Sequence, residues 1–400
     1  MSAALCVTPC DVECIANFDD MPLHRNLLPG VYSHGFEKPS EIQQRTIAPF
    51  CRGGDLIGQA QSGTGKTGAF SIGLLQRMDF RLNATQGLVL SPTRELAEQT
   101  FEVLSEIGSY MTDSGVPFVA MFTGGSRTSE DIRRLCAGGV TVVVGTPGRV
   151  ADLIKRGALR VVALKCVVLD EADEMLSQGF SEQISNIFRF LPKDVQMALF
   201  SATMPDEVLS LAEKFMRQPT RVLMPPESLT LKGIKQYYVA VHDDEKLGVI
   251  IDLYESISIA QAVIFAGKRR TVDWLGHQLS ARSHAVGTMH AEMPRSDRVG
   301  VMRGFKSGST RVLVTSDLMA RGIDVQHVNI VINFDLPANP ESYLHRIGRS
   351  GRFGRRGVAI SLVSPQEAEV LRELEAHFKT NIEELPMNFT DHLDVTDSSS

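Results

Sequence analysis

Several features that would place a chain in a familiar class are scarce in this one. Six cysteines in 400 residues give no disulfide framework. Cys6, Cys10 and Cys14 share a spacing of four, but Pro9 interrupts a helix there and the only nearby candidate for a fourth ligand is His24. The first Lys or Arg is Arg25, so the start has neither the basic region of a signal peptide nor the Arg-rich character of a transit peptide. No apolar run approaches the roughly 18 residues of a membrane span. Aromatic residues make up 6% with one tryptophan, Trp274, so a base-stacking platform is not evident. A basic excess is missing as well. The formal net charge is −6, which excludes an all-over cationic coat and leaves only local patches for any polyanion.

What is present is a globular composition, 43% hydrophobic and 22% charged, in a length suited to about two or three domains. Short β-branched runs recur at Asp55–Ala60, Gly87–Ser91, Pro117–Thr123, Val140–Thr146, Cys166–Asp170 and Gln196–Ser201. Others follow at Ala262–Gly267, Arg311–Ser316, Val328–Asp335 and Val358–Val363. They are nearly continuous in apolar residues, as in parallel strands covered on both faces. Segments between them, such as Arg94–Ile107 and Glu174–Leu191, carry helical spacing. The pattern predicts an α/β fold of open, mainly parallel sheets. About ten strands exceed one sheet of the usual size, and residues 224–233 are Pro-rich and end in Gly. We therefore expect two α/β domains at 21–223 and 234–390, the linker 224–233, a polar arm at 1–20 and a frayed tail at 391–400.

The chemistry concentrates in three places. Ala60-Gln61-Ser62-Gly63-Thr64-Gly65-Lys66-Thr67 follows a strand and opens a helix. Its glycines let backbone N–H groups face phosphate oxygens, Lys66 reaches the terminal phosphates, and Thr67 can ligate Mg²⁺. Ala60 departs from the strict pattern, which has Gly there. The alternative is an ordinary Gly-rich turn. Asp170 and Glu171 end another strand, where Asp170 can hold Mg²⁺ and Glu171 can orient or deprotonate an attacking water. The alternative is a set of acids favoured at a helix N-terminus. Thirdly, if Ser342–Arg352 is helical, His345, Arg349 and Arg352 share one face, in a neighbourhood made basic by Arg346, Arg355 and Arg356. Arg349 and Arg352 would then supply charge that the first domain lacks; a solvated Arg cluster is the alternative.

With Asp170-Glu171-Ala172-Asp173 and the phosphate loop in view, the chain resembles the DEAD-box RNA helicases. Phe36 and Pro39-Ser40-Glu41-Ile42-Gln43 are similar to that family's adenine-reading motif. Pro92-Thr93-Arg94-Glu95-Leu96, Gly124-Gly125 and Thr146-Pro147-Gly148-Arg149 are similar to its first-domain RNA motifs, and Ser201-Ala202-Thr203 to its coupling motif. Arg321-Gly322-Ile323-Asp324 and the run from His345 to Arg352 are similar to its late motifs. Arg25–Gln43, Ser177–Lys193 and the segment near Glu383–Phe389 are most similar to the translation-initiation members.

The resemblance implies two tandem RecA-like domains and hydrolysis of ATP with Mg²⁺, coupled to local, non-processive RNA unwinding. It implies Lys66, Glu171, Arg349 and Arg352 as catalytic, Thr67 and Asp170 on the metal, and Asp173, Ser201, Thr203 and His345 in coupling. Phe36, Gln43, the loop Ala60–Thr67 and Asp324 would bind ATP, although Ser40 to Gln43 also fits a helix capping box in which Gln43 reaches backbone. Arg94, Gly125, Thr146, Arg149, Arg298, Thr315 and Arg321 would bind RNA through its backbone, with little sequence preference and with sensitivity to salt. An ATP-gated RNA clamp in mRNA processing or surveillance needs the same loops, and a nucleotide-binding scaffold without catalysis is a further alternative. Protein partners in translation initiation or mRNA processing, a monomeric state alone, a cytoplasmic location with the nucleus left open, and no membrane contact complete the expectations. Gly267, Arg295, Ser316 and Ser350 depart from the family pattern on the expected RNA side of the second domain.

Overall fold

The computed structural model describes residues 13–61, 63–112, 117–223, 234–256, 259–317, 328–350 and 357–386, with the side chain of Arg295 excepted. The chain divides into two compact units, Met1–Met224 and Pro225–Ser400.

In the first unit the strands are β1 (Leu56–Gln59), β2 (Gly87–Leu90), β3 (Val119–Phe122), β4 (Val142–Gly145), β5 (Cys166–Asp170), β6 (Gln196–Ser201) and β7 (Thr220–Leu223). They form a parallel sheet in the order β3-β4-β2-β5-β6-β1-β7. The interior strands β2, β4, β5 and β6 are buried along their whole length, as their unbroken apolar runs require. The order matters for chemistry because β5, β6 and β1 are neighbours. Their pairing sets Gln59 beside Ser201 and Asp170 beside Phe200, so the loops leaving all three strands open on the same end of the sheet.

The second unit contains β8 (Ile234–Ala240), β9 (Ala262–Phe265), β10 (Val286–Met289), β11 (Val312–Thr315), β12 (Ile330–Asn333), β13 (Gly357–Val363) and β14 (Glu383–Glu384). Their order is β10-β11-β9-β12-β13-β8-β14, and every pair is parallel. Its core joins Ile250, Ile264, Leu275, Val314, Ile332 and Ile360.

Four strands escaped the sequence pattern. β7, β10 and β14 lie at sheet edges, and β8 lies next to one. Only Val222 of β7 is buried, β10 carries Gly287 among alternating burial, and both residues of β14 are exposed. The segment 174–191 holds two helices rather than one, Ala172–Ser177 and Ser181–Phe188, separated by Gly179 at φ 80°. The loose arm expected through residue 20 ends earlier. Phe18 is buried and stacks 6.4 Å from Phe36, and the Ile15 N–H donates to the Gln44 carbonyl, because an apolar Phe has more to gain from the core than from water. The linker 224–233 and the tail 391–400 lie outside the described residues.

Candidate functional site

The phosphate loop leaves β1 and runs into the helix Lys66–Gln76. Gly63 and Gly65 have φ of 84° and 98°, values open to glycine at little cost. A Cβ on Gly65 would lie 2.8 Å from Gln43 Nε2 and 2.9 Å from Ser40 Oγ, so side chains from another helix close over the loop. Gln43 takes the capping role that the sequence allowed and also reaches the loop. Its Oε1 accepts from the Ser40 N–H at 2.9 Å, closing the cap of the helix Glu41–Arg52, while its Nε2 donates to the Gly65 carbonyl at 3.1 Å. A Cβ on Gly68 would meet the Phe36 ring at 2.6 Å. Phe36 and Gln43 are therefore packed onto the start of the helix Lys66–Gln76.

Lys66 is buried, with Nζ donating to the Ala60 carbonyl at 2.9 Å and lying 3.4 Å from the Glu171 carboxylate. Two acceptors thus hold this cation at the root of the loop. Glu171 is the turning point between β5 and the helix Ala172–Ser177, at φ 51° and ψ 58°. A non-glycine residue in this left-handed region carries strain of order 1–3 kcal/mol, which the surrounding packing must hold in place. Asp170 is buried at the end of β5. Its carboxyl is pushed above the usual carboxylate range by burial first and by the Glu171 charge second, with Lys66 pulling the other way. These are not helix-terminal acids in solvent.

Asp173 ties the acidic segment to β6. Its N–H donates to Ser201 Oγ at 3.3 Å, and its Oδ2 accepts from Thr203 Oγ1 at 2.6 Å and from the Thr203 N–H at 3.2 Å. The Ala60 N–H in turn donates to the Ser201 carbonyl at 3.2 Å. The phosphate loop, the acidic turn and the segment Ser201–Thr203 are thus one hydrogen-bonded unit.

On the loops after β2, β3 and β4, Arg94 opens the helix Arg94–Ile107, whose cap is the Thr93 hydroxyl accepting from the Leu96 N–H. Its guanidinium lies against Gly125, where an added Cβ would come within 2.6 Å of Arg94 Nη1 and where φ is 88°. Thr146 stands at the residue before the helix Pro147–Lys155, with no side-chain capping hydrogen bond. Arg149 pairs with Asp131 and donates to Ser126 Oγ and the Ser126 carbonyl, both at 2.9 Å. Arg149 therefore holds the Gly124–Gly125 loop, and Asp131 and Ser126 are site residues that the sequence reading missed. Asp131 reads as one more acid in a helical first turn, and nothing in the sequence separates it from Glu130.

In the second unit the helix expected over Ser342–Arg352 ends at Ile347, with Gly348 at its cap. Residues 348–350 continue in tighter turns, the Arg349 N–H donating to the Arg346 carbonyl at 3.1 Å and the Ser350 N–H to the Ile347 carbonyl at 3.1 Å. The Arg349 side chain turns back, Nε donating to the His345 carbonyl at 3.0 Å. Arg346 does not add to a basic surface. It is buried, paired with Asp317 (Nη2 to Oδ2 at 2.7 Å), hydrogen-bonded to Asn333 and to the Asp335 carbonyl, and lies 5.2 Å over the Phe265 ring. Thr315 is buried at the end of β11, and Arg298 sits on the helix Arg295–Lys306. Gly267 donates its N–H to Asp335 at 2.7 Å. Ser62, Arg321, Asp324 and Arg352 lie outside the described residues.

Comparison with known proteins agrees with this arrangement. Residues 40–211 match the DEAD/DEAH box helicase model, and residues 245–354 match the helicase conserved C-terminal domain. The chain is 65% identical over 379 residues to a probable eukaryotic initiation factor 4A of Trypanosoma cruzi, covering 95% of this chain and 94% of that protein. It is 54% identical to eukaryotic initiation factor 4A-1 of Arabidopsis thaliana, covering 94% and 90%. Among solved structures, S. cerevisiae Dbp5 bound to RNA and ADP BeF3 has a TM-score of 0.83 at 35% identity, covering 92% of this chain and 95% of that one. A DEAD box protein from Methanococcus jannaschii has a TM-score of 0.56 at 37% identity, covering 93% and 100%. With both units matched in order along the chain, this protein belongs to the DEAD-box family of ATP-dependent RNA helicases, enzymes of tandem RecA-like domains that hydrolyse ATP.

Proposed function

We propose that the chain uses ATP hydrolysis to open short RNA duplexes locally and non-processively, as a cytoplasmic protein similar to translation initiation factor 4A. The observation that carries this reading is the hydrogen-bonded unit of the phosphate loop, Asp173, Ser201 and Thr203, which gives a change at the nucleotide a direct route to the rest of the sheet. Phe36 and Gln43 recognise adenine, and the loop Ala60–Thr67 takes the phosphates. Lys66 leaves Ala60 and Glu171 for the phosphate oxygens. Once released, the Glu171 carboxylate orients the attacking water and accepts its proton. Arg349 and Arg352 of the second unit serve the transferring phosphoryl group, and Asp324 joins the ATP-binding residues.

The donor set also fits magnesium. Asp170 offers a buried carboxylate that its surroundings disfavour as a bare anion, Thr67 offers a hydroxyl, and oxygen ligands are what this hard cation takes. When bound, it neutralises charge on the phosphates. Arg94, Gly125, Thr146, Arg149, Arg298, Thr315 and Arg321 serve the RNA backbone. At about 1.4 kcal/mol per stacked step, opening a few pairs needs a handful of kcal/mol, which suits local melting.

The test is ATP turnover with and without single-stranded RNA, beside a Glu171→Gln variant. RNA but not DNA should stimulate the parent, and the variant should lose about 10²–10⁴ in kcat while still binding ATP. Stimulation by DNA alone, or unchanged turnover in the variant, would overturn the reading.

A further inference from the structure

Away from the nucleotide and RNA loops, the first unit has a groove of about 470 Å³ between the helices Pro147–Lys155 and Ser181–Phe188. Its floor is apolar, formed by Ala151, Ile154 and Ile187. Phe190, just beyond the second helix, stands at its wall with 55% of its surface in water. A half-exposed Phe beside an apolar floor is the usual anchor point of a protein interface. The rim charges without an ion-pair partner among the described residues share one sign. They are Lys155 and Arg189. The acid at the rim, Asp152, is already taken by Arg156 at 2.8 Å. Two uncompensated cations on a chain of net charge −6 run against the overall balance and select the occupant.

We infer that this groove is a docking site for an acidic peptide segment of a protein partner, one that lays an aromatic or leucine side chain against Phe190 and sets carboxylates against Lys155 and Arg189. The width between two packed helices suits a short amphipathic helix or turn. A second copy of this chain fits poorly, because a symmetric pairing sets each cationic rim against itself. The inference does not depend on the reading of the nucleotide site, because none of these residues contributes to it.

The experiment selects binders to the full chain from a random displayed peptide library and measures them by fluorescence anisotropy against Phe190→Ser and Arg189→Glu. Selected peptides should be net acidic around an aromatic or leucine, and each variant should weaken them about tenfold or more. Both variants should keep the parent's thermal midpoint and RNA-stimulated turnover. Neutral or basic peptides, acidic peptides indifferent to both variants, or no enrichment would overturn the proposal. So would a sedimenting dimer abolished by Phe190→Ser, which assigns the groove to self-association. Loss of RNA affinity in Arg189→Glu would overturn it too, assigning the groove to nucleic acid.

Discussion

At the residue scale, the position least visible in the sequence is Asp131. Its carboxylate pairs with Arg149, and Ser126 shares that arginine, so the Gly124–Gly125 loop is held from below by a buried ion pair. Removing one partner of such a pair leaves the other charge without compensation, a cost of about 3–5 kcal/mol spread between local stability and loop order. Asp131→Asn should weaken single-stranded RNA binding and raise the RNA concentration needed for half-maximal stimulation. RNA-independent turnover should stay near the parent's. A titration of turnover against RNA reads the two quantities separately, and an unchanged half-maximal point would remove Asp131 from the RNA surface. The cysteines make a second residue-scale case. Burial pushes the Cys51 thiol up to about 12 and Cys166 further in the same direction, whereas Cys14 and Cys136 are exposed. The thiolate is the reactive form. At pH 8 iodoacetamide should therefore modify Cys14 and Cys136 while sparing Cys51 and Cys166 until the chain is unfolded, as peptide mass mapping would show.

At the element scale, legibility followed burial. Interior strands such as β4 and β5 were readable because both faces are covered and, up to the Asp170 that ends β5, the positions are apolar or glycine. The edge strands β7, β10 and β14 have fewer buried positions to constrain, so their sequences look like loop. The helix Arg94–Ile107 matched its predicted bounds because its face pattern and its Thr93 cap coincide. The helix at Pro340–Ile347 did not, since side-chain spacing continued past Gly348 while the backbone stopped there. Spacing along the chain also concealed Lys246. It begins the helix Lys246–Ser256, is buried, and meets Glu367 at 2.8 Å and Asp243 at 3.0 Å.

That pair staples elements 121 residues apart and gives the second unit a pH dependence. For Glu367, burial works upward but is outweighed by hydrogen bonds from Lys246, the Leu336 and Ser364 N–H groups and the Ser364 hydroxyl, so the carboxyl ends below its usual range. A lowered carboxylate stabilises above its unfolded value of about 4.3 and loses that contribution as pH falls through the folded value. Lys246 is displaced the other way. Burial pulls it down, but its hydrogen bonds to Glu367 and Asp243 raise it, so its share persists below about 10.4 and fades as pH climbs through the folded value. Glu367→Gln should cost about 1–3 kcal/mol at pH 7, the range for charge-assisted hydrogen bonds to a partly buried carboxylate, with Asp243 still beside Lys246. In urea unfolding the gap between parent and variant should narrow as pH falls from that unfolded value through the folded one, and close below it. A gap that persists there would assign the loss to packing rather than charge.

At the scale of the whole molecule, the candidate groups for each ligand are divided between the two units. For ATP they include Lys66 and Glu171 in the first and Arg349 in the second; for RNA, Arg94 and Arg149 in the first and Arg298 and Thr315 in the second. A ligand that draws on both units favours whatever arrangement presents its two half-sites together, and two such ligands then favour each other. Linkage makes the effect reciprocal. A non-hydrolysable ATP analogue should tighten RNA binding by some factor, typically about 5–150-fold, and RNA should tighten the analogue by the same factor. Anisotropy titrations of a labelled RNA with and without analogue, and of a labelled analogue with and without RNA, measure the two sides. Arg349→Gln should shrink both factors together and lower kcat by about 10³ or more. Glu171→Gln should leave them in place, since it removes a step in cleavage and not a contact that holds the nucleotide. Equal affinities in all four titrations of the parent would mean that the units bind their ligands independently, and hydrolysis would then have no lever on the RNA.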